Sequence, residues 1–163
     1  MARADMFLKV EGAKQGQIKG EATDTSHPGE IEVSGWEWGM DGNATAFGAK
    51  TAHTTLKELL VRKPVDSAST GLMSALRSNE VIKKAVLTVR KAGGVASVPF
   101  LTITVEKARI VSHRMINVVD GAPELTEEVR IAFYKVQVEY RPQDESGAGK
   151  GVNTFETEVQ PAG

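Results

Sequence analysis

Cysteine is absent from this 163-residue chain, so disulfides, thiolate zinc sites and cysteine nucleophiles are excluded. Histidine is scarce: His27, His53 and His113 lie far apart and form no H-x-x-x-H or H-x-H pattern, so no metal-ligating spacing is written into the chain. No segment approaches the roughly 20 apolar residues of a membrane helix. The N-terminal "MARADMFLKVEGAKQGQIKG" also lacks the apolar run of a secretory signal. The expectation is a chain made in the cytoplasm, without membrane insertion. A charge excess is missing too: 20 Lys and Arg against 21 Asp and Glu give −1, which argues against broad binding to nucleic acid or an anionic membrane. No serine sits in G-x-S-x-G. "SGAGKGV", 146–152, fails as a phosphate loop, because Asp144 stands where the first glycine belongs and Gly151 replaces the serine or threonine. The carboxylates in strand-like segments mostly occupy alternate positions, as solvated faces do. No catalytic residue, metal or cofactor emerges, and the chain reads as not an enzyme.

What is present is alternation. One domain over 1–163 is the default for this length, and such a chain buries about 68–70% of its unfolded surface. In "DMFLKVEG", Met6, Leu8 and Val10 share one face. In "GEIEVSGWEWGM", Ile31 and Val33 share a parity that Trp36 and Trp38 do not. A change of face at Ser34–Gly35 predicts a bulge or bend. "AVLTVRKAGG" with "FLTITVEKARIVS" predicts a hairpin: Ala85, Leu87 and Val89 line one strand, and Leu101, Ile103 and Val105 the other. In "EEVRIAFYKVQVEYRP", Val129, Ile131 and Phe133 have one parity, Val136, Val138 and Tyr140 the other. A bulge near Tyr134–Lys135 brings both sets to one core; the alternative is a strand buried on both sides. One helix is predicted at about 67–78 in "DSASTGLMSALRSNE", where Leu72, Ala75 and Leu76 form a stripe. Asp66 or Ser67 is placed to accept its first N–H groups, and Asn79 to stop it. By propensity alone "TLKELLVRK" divides evenly between helix and strand. A flexible loop is expected at about 143–152, then a short C-terminal strand. These patterns suit an antiparallel barrel or sandwich with a helix packed outside.

Trp36 and Trp38 are the only tryptophans, and in a strand they point the same way. They serve either as core or as a stacking platform for a sugar or base. The acidic flanks Glu30, Glu32 and Glu37 oppose nucleic acid.

Five segments in order carry a resemblance: "DMFLKVEG", "GEIEVSGWEWGM", "KPVDSASTGLMSAL", the hairpin "AVLTVRKAGG" with "FLTITVEKARIVS", and "EEVRIAFYKVQVEYRPQ". The chain resembles the haemolysin-coregulated protein (Hcp) family, the tube subunit of bacterial type VI secretion systems. The resemblance implies a mainly β chain: a compact antiparallel β-barrel of two sheets with one flanking α-helix. It also implies that "TLKELLVRK" is a strand. It implies a homohexameric ring that stacks into a tube inside a contractile sheath, capped by a spike protein (VgrG). Some members carry effector proteins in the lumen as their chaperones. Export is by the type VI machine, to the extracellular space or a target cell. No effector domain is expected to be fused after the barrel. The loop "MDGNATAFGAKTAH" corresponds to the family segment that reaches the adjacent ring, which makes Asp41, Gly42, Asn43 and Phe47 candidate stacking residues. Trp36, Trp38, Asp66, Leu72, Phe133 and Tyr140 fall in the matching motifs as core or interface residues, with Trp36 expected in the deeper site. The rival readings are a monomeric ligand- or glycan-binding β-barrel using the two indoles, and a hydrolase with paired carboxylates.

Overall fold

Alternation of apolar and polar residues becomes twelve strands and one helix among the residues that the computed structural model describes, 5–42, 54–90, 99–117, 125–142 and 151–159. In chain order these are β1 (Met6–Gly12), β2 (Gly16–Gln17), β3 (Ile31–Glu32), β4 (Gly35–Glu37), β5 (Met40–Gly42), β6 (Thr54–Leu56), β7 (Leu59–Pro64), α1 (Ser69–Arg77), β8 (Ile82–Arg90), β9 (Pro99–Ile116), β10 (Thr126–Ala132), β11 (Lys135–Tyr140) and β12 (Asn153–Glu158). Every pairing is antiparallel. One layer runs β2-β1-β8-β9-β11-β12, with β3 also on β1. The other runs β9-β10-β7-β4.

The long β9 belongs to both layers. Its first half pairs with β8 and β11, its second with β10. Lys107, between the halves, takes a left-handed φ of 49°, which turns the strand. Alongside it the chain turns again at Phe133–Tyr134, where the Tyr134 N–H is shared between the carbonyls of Glu106 and Lys107. This bend puts Val129, Ile131 and Val136 in one core despite their opposite parity. The same happens at Val33–Gly35: the Val33 N–H bonds Met6 of one layer, the Ser34 N–H bonds Arg62 of the other. The parity changes in the sequence are thus the corners at which strands change layer.

The core contains Leu8, Val10, Ile31, Val33, Leu59, Val61, Leu87, Ile103, Val105 and Ile131, all buried. "TLKELLVRK" is extended and not helical, as the resemblance implied: Thr55 and Leu56 end β6, Lys57 and Glu58 link the two strands, and Leu59–Lys63 lie in β7. β7 is paired along its whole length by β10 and at Leu60–Arg62 by β4 on its other side, and Leu59 and Val61 face inward. Pairing on two sides overrides a helical propensity worth a few tenths of a kcal/mol per residue.

α1 is shorter than the expected 67–78 and packs on β9 with Leu72 and Ala75 buried. Its N-cap is Ala68, without a side-chain cap. The Asp66 carboxylate accepts the Ala68 N–H at 2.9 Å, holding the turn that leads in, while the Ser67 N–H donates to Glu21. At the far end Asn79 adopts φ 55°, and its N–H and that of Glu80 bond the Leu76 and Ala75 carbonyls. That is the reverse-turn stop expected of an asparagine after a helix.

The polar stretch after β2 starts along the edge of β1, where the Ile18 N–H bonds the Val10 carbonyl, and its Asp24 and His27 reach Arg90 of β8 and Phe7 of β1. Within it Ile18 and Ala22 are buried, and Gly20 and Ala22 are bonded to Gly29 and Glu30. A Cβ on Gly20 would stand 2.7 Å from the Glu30 carbonyl and 2.8 Å from Ile31 Cα, so only glycine permits this approach.

Candidate functional site

β5 and β6 form a separate two-stranded arm, with Met40, Asp41, Gly42, Thr54 and Thr55 exposed. Asp41 and Gly42 therefore sit on a projecting hairpin; Asn43 and Phe47, in the segment between β5 and β6, lie outside the described residues. The arm is tied at its root. The Lys57 N–H donates to the Gly39 carbonyl, and the Trp38 indole N–H donates to the Lys57 carbonyl at 2.8 Å. A cavity of about 620 Å³ opens beside this root, lined by Glu37, Trp38, Gly39, Leu56, Lys57, Glu58, Leu60 and Arg130.

Both tryptophans pack half-buried against the core. Trp36 is opposite Val61 on the inner face, while Trp38 tilts against Phe133 with ring centroids 6.5 Å apart. With its N–H satisfied and its ring on Phe133, Trp38 is not part of a flat pair of exposed indoles. Leu72 is fully buried under α1 and Phe133 is half-buried. Tyr140 is 47% exposed at the end of β11, between Leu101 and Asn153.

The sequence reading missed a buried ionic cluster beside α1. Lys63 on β7 and Glu127 on β10 are directly paired and wholly buried. Lys63 Nζ donates to Glu127 Oε1, to Asp66 Oδ1 at 2.8 Å and to the Pro64 carbonyl at 2.9 Å. Ser69 Oγ donates to Glu127 at 2.9 Å, and His113 Nε2 lies 2.7 Å from the other carboxylate oxygen. One signal was available: counting by two from Leu59 and Val61 lands on Lys63, a lysine on a core face. The charges on it are compensated, as a buried pair requires, and among the described residues no buried side-chain polar atom lacks a partner. None of these side chains lines the cavity. The cluster is a lock joining β7, β9, β10 and α1. Among the described residues no group of three His, Asp or Glu is placed to hold a metal ion, and no helix is long and apolar enough to cross a membrane.

Several carboxylates gain strong partners on folding. For Glu127, burial opposes ionisation, but the bonds from Lys63 and His113 outweigh it and hold the carboxyl below the usual range. For Glu80, burial is likewise outweighed by the Gln15 and Lys14 N–H groups. Asp24, bonded by the Arg90 guanidinium and the Ser26 N–H, falls from 3.8 to about 2. A depressed folded-state pKa means stability that is present above the unfolded value and lost as pH falls through the folded one. Acid titration of thermal stability is expected to show a steep loss between about pH 4 and pH 2. Asp24→Asn is expected to lower stability at neutral pH and flatten that slope. An unchanged slope would assign the acid response to other carboxylates.

A family model described as "Type VI secretion system effector, Hcp" matches residues 7–140. The chain is 36% identical over 150 residues to protein hcp1 of Pseudomonas aeruginosa, spanning 90% of this chain and 89% of that protein. Among solved structures, Hcp1 from Salmonella typhimurium aligns at 28% identity with a TM-score of 0.74, covering 97% of this chain and 95% of that one. A type VI secretion system effector from Yersinia pestis aligns at 26% identity with a TM-score of 0.73, covering 95% and 100%.

Proposed function

The chain belongs to the Hcp family of type VI secretion proteins, and from that premise we propose that it is a tube subunit acting by assembly rather than by catalysis. Six copies form a ring, and rings stack into a tube that a contractile sheath drives outward behind a spike protein (VgrG). The lumen carries effector proteins. The chain is made in the cytoplasm and leaves through the type VI machine.

The observation that carries this reading is the family match across residues 7–140 of an antiparallel β fold in which, among the described residues, no buried side-chain polar atom lacks a partner. A ring needs a heterologous contact, one surface against a different surface of the next copy. Sheet edges supply backbone donors and acceptors for it. Native mass measurement with negative-stain imaging tests the proposal. Hexamers with ring-shaped particles are the expected result, and one chain per particle at physiological concentration refutes it.

Ring-on-ring stacking falls to the β5–β6 arm. An isolated two-stranded hairpin is at best marginally stable in water, so a projecting arm gains from a second surface. Asp41, Gly42, Asn43 and Phe47 are the proposed contact residues, with Phe47 as the apolar anchor. Phe47→Asp is expected to abolish tube formation while hexamers persist. Tubes of normal length from that variant would remove the arm from the stacking contact.

A further inference from the structure

The cavity at the root of the β5–β6 arm has an apolar floor between unlike charges. Its floor is Leu60, which has the parity of the outward face of β7 and is still only 5% exposed. Leu56 and the half-buried Trp38 ring supply apolar walls. The Trp38 N–H is already bonded to the Lys57 carbonyl, so the indole offers the cavity apolar surface and not a donor. Gly39 leaves the wall beside Trp38 as bare backbone, with no atom within 4 Å of where a Cβ would stand.

The strand register sets the charges. Leu60 is paired with Glu37 of β4 on one side and with Arg130 of β10 on the other. Directly paired residues share a face, so these three side chains stand in one row. Two strand spacings place the outer two about 10 Å apart, the length of about three extended residues. Glu58 adds a second carboxylate to the lining. The ion pairs around the cavity join Lys57 to Asp41, Arg62 to Glu37 and Glu128, and Arg114 to Glu128. Among the described residues none takes Arg130 or Glu58, both exposed. The Glu37 contact with Arg62 is at 4.0 Å between exposed side chains, a kind worth little at a surface.

We infer that this cavity is a binding site for a small zwitterion, a free peptide of two or three residues with an apolar side chain. Its carboxylate takes the Arg130 guanidinium, its α-ammonium takes the Glu37 and Glu58 carboxylates, and its side chain packs on Leu60 and Trp38. Arginine suits the carboxylate end, because its planar fork donates two parallel hydrogen bonds. A volume of about 620 Å³ lies within the range of small-molecule pockets. Such a site is separate from the carriage of effector proteins, and it stands whether or not the chain forms rings.

Trp36→Phe leaves Trp38 as the sole indole, so its fluorescence reports on the cavity. In that background the tripeptide Ala-Leu-Ala with free ends is expected to shift the emission saturably. Calorimetry on the parent protein is expected to return the same dissociation constant. Acetylating the probe's amine or amidating its carboxylate is expected to weaken binding about tenfold or more, as is Arg130→Ala, the loss of one charge-assisted pair. Arg130 is exposed, so that variant keeps its circular dichroism and melting temperature. Arg130→Lys keeps the charge without the fork and is expected to recover only part of the affinity. No saturable response up to about 10 mM probe overturns the site. Equal affinity for the blocked and free probes, or for the parent and Arg130→Ala, overturns the zwitterion assignment. Saturable binding of maltotriose that the tripeptide does not displace gives the cavity to a sugar and overturns it as well. Native mass of the same samples reports on the ring separately: single chains that bind the probe remove the ring and keep this site.

Discussion

Lys63→Met is expected to destabilise the protein by about 3–5 kcal/mol, the cost of leaving a buried carboxylate without its cation. In a chain of this size that lowers the melting temperature by roughly 6–20 °C. Glu127 would keep Ser69 and His113 as partners but lose the ammonium that offsets its burial. Two further measurements separate this cause from simple loss of packing. The deficit should shrink as pH is lowered into the carboxylate range, because protonating Glu127 removes the uncompensated charge. In the parent the same protonation is destabilising, since the carboxyl is held below its ordinary range. The double variant Lys63→Met with Glu127→Leu should also cost less than the two single changes summed. A Lys63→Met variant within 1 kcal/mol of the parent, the scale of an exposed pair, would show that the pair is not dry.

Phe7→Ala is expected to cost about 3–5 kcal/mol, the range for truncating a fully buried phenylalanine. Phe7 is 1% exposed although it lies on the outer face of β1, opposite Leu8 and Val10. His27 stacks on the ring at 4.5 Å with planes 8° apart, and the Arg90 guanidinium sits 5.0 Å from its centroid. Arg90 in turn holds Asp24 and Asp5, and His27 holds Glu30. Truncation leaves a cavity and removes the platform on which the strap between β2 and β3 rests. The check is chemical denaturation together with limited proteolysis of residues 18–30. Cleavage in that strap should accelerate more than global unfolding predicts. A loss below 1 kcal/mol with unchanged cleavage would mean that the backbone bonds at Gly20 and Ala22 hold the strap alone.

The alternation of apolar residues was legible because it records a local constraint: side chains of a strand alternate faces wherever the strand sits. The face changes at Ser34–Gly35 and near Tyr134 were legible for the same reason, and each proved to be a corner between layers. The helix was legible from its stripe and from Asn79. "TLKELLVRK" was not legible from its residues, since leucine, lysine and glutamate favour helix, and the family resemblance supplied the strand. Lys63 and Glu127 were hidden in sequence by residue type: both usually lie at the surface, and only their mutual pairing makes burial tolerable.

The sequence alone determined the class of this protein: antiparallel strands around an apolar face, one helix, no cysteine chemistry and no metal spacing. Tertiary structure alone decided that Phe7 is core, that Lys63 is wholly enclosed, and which strand edges stay open. The physical reason is range. Face alternation and helix caps are set by neighbours a few residues away, whereas burial of an outward phenylalanine or of an inward lysine depends on segments distant in the chain, as His27 is from Phe7 and Glu127 from Lys63.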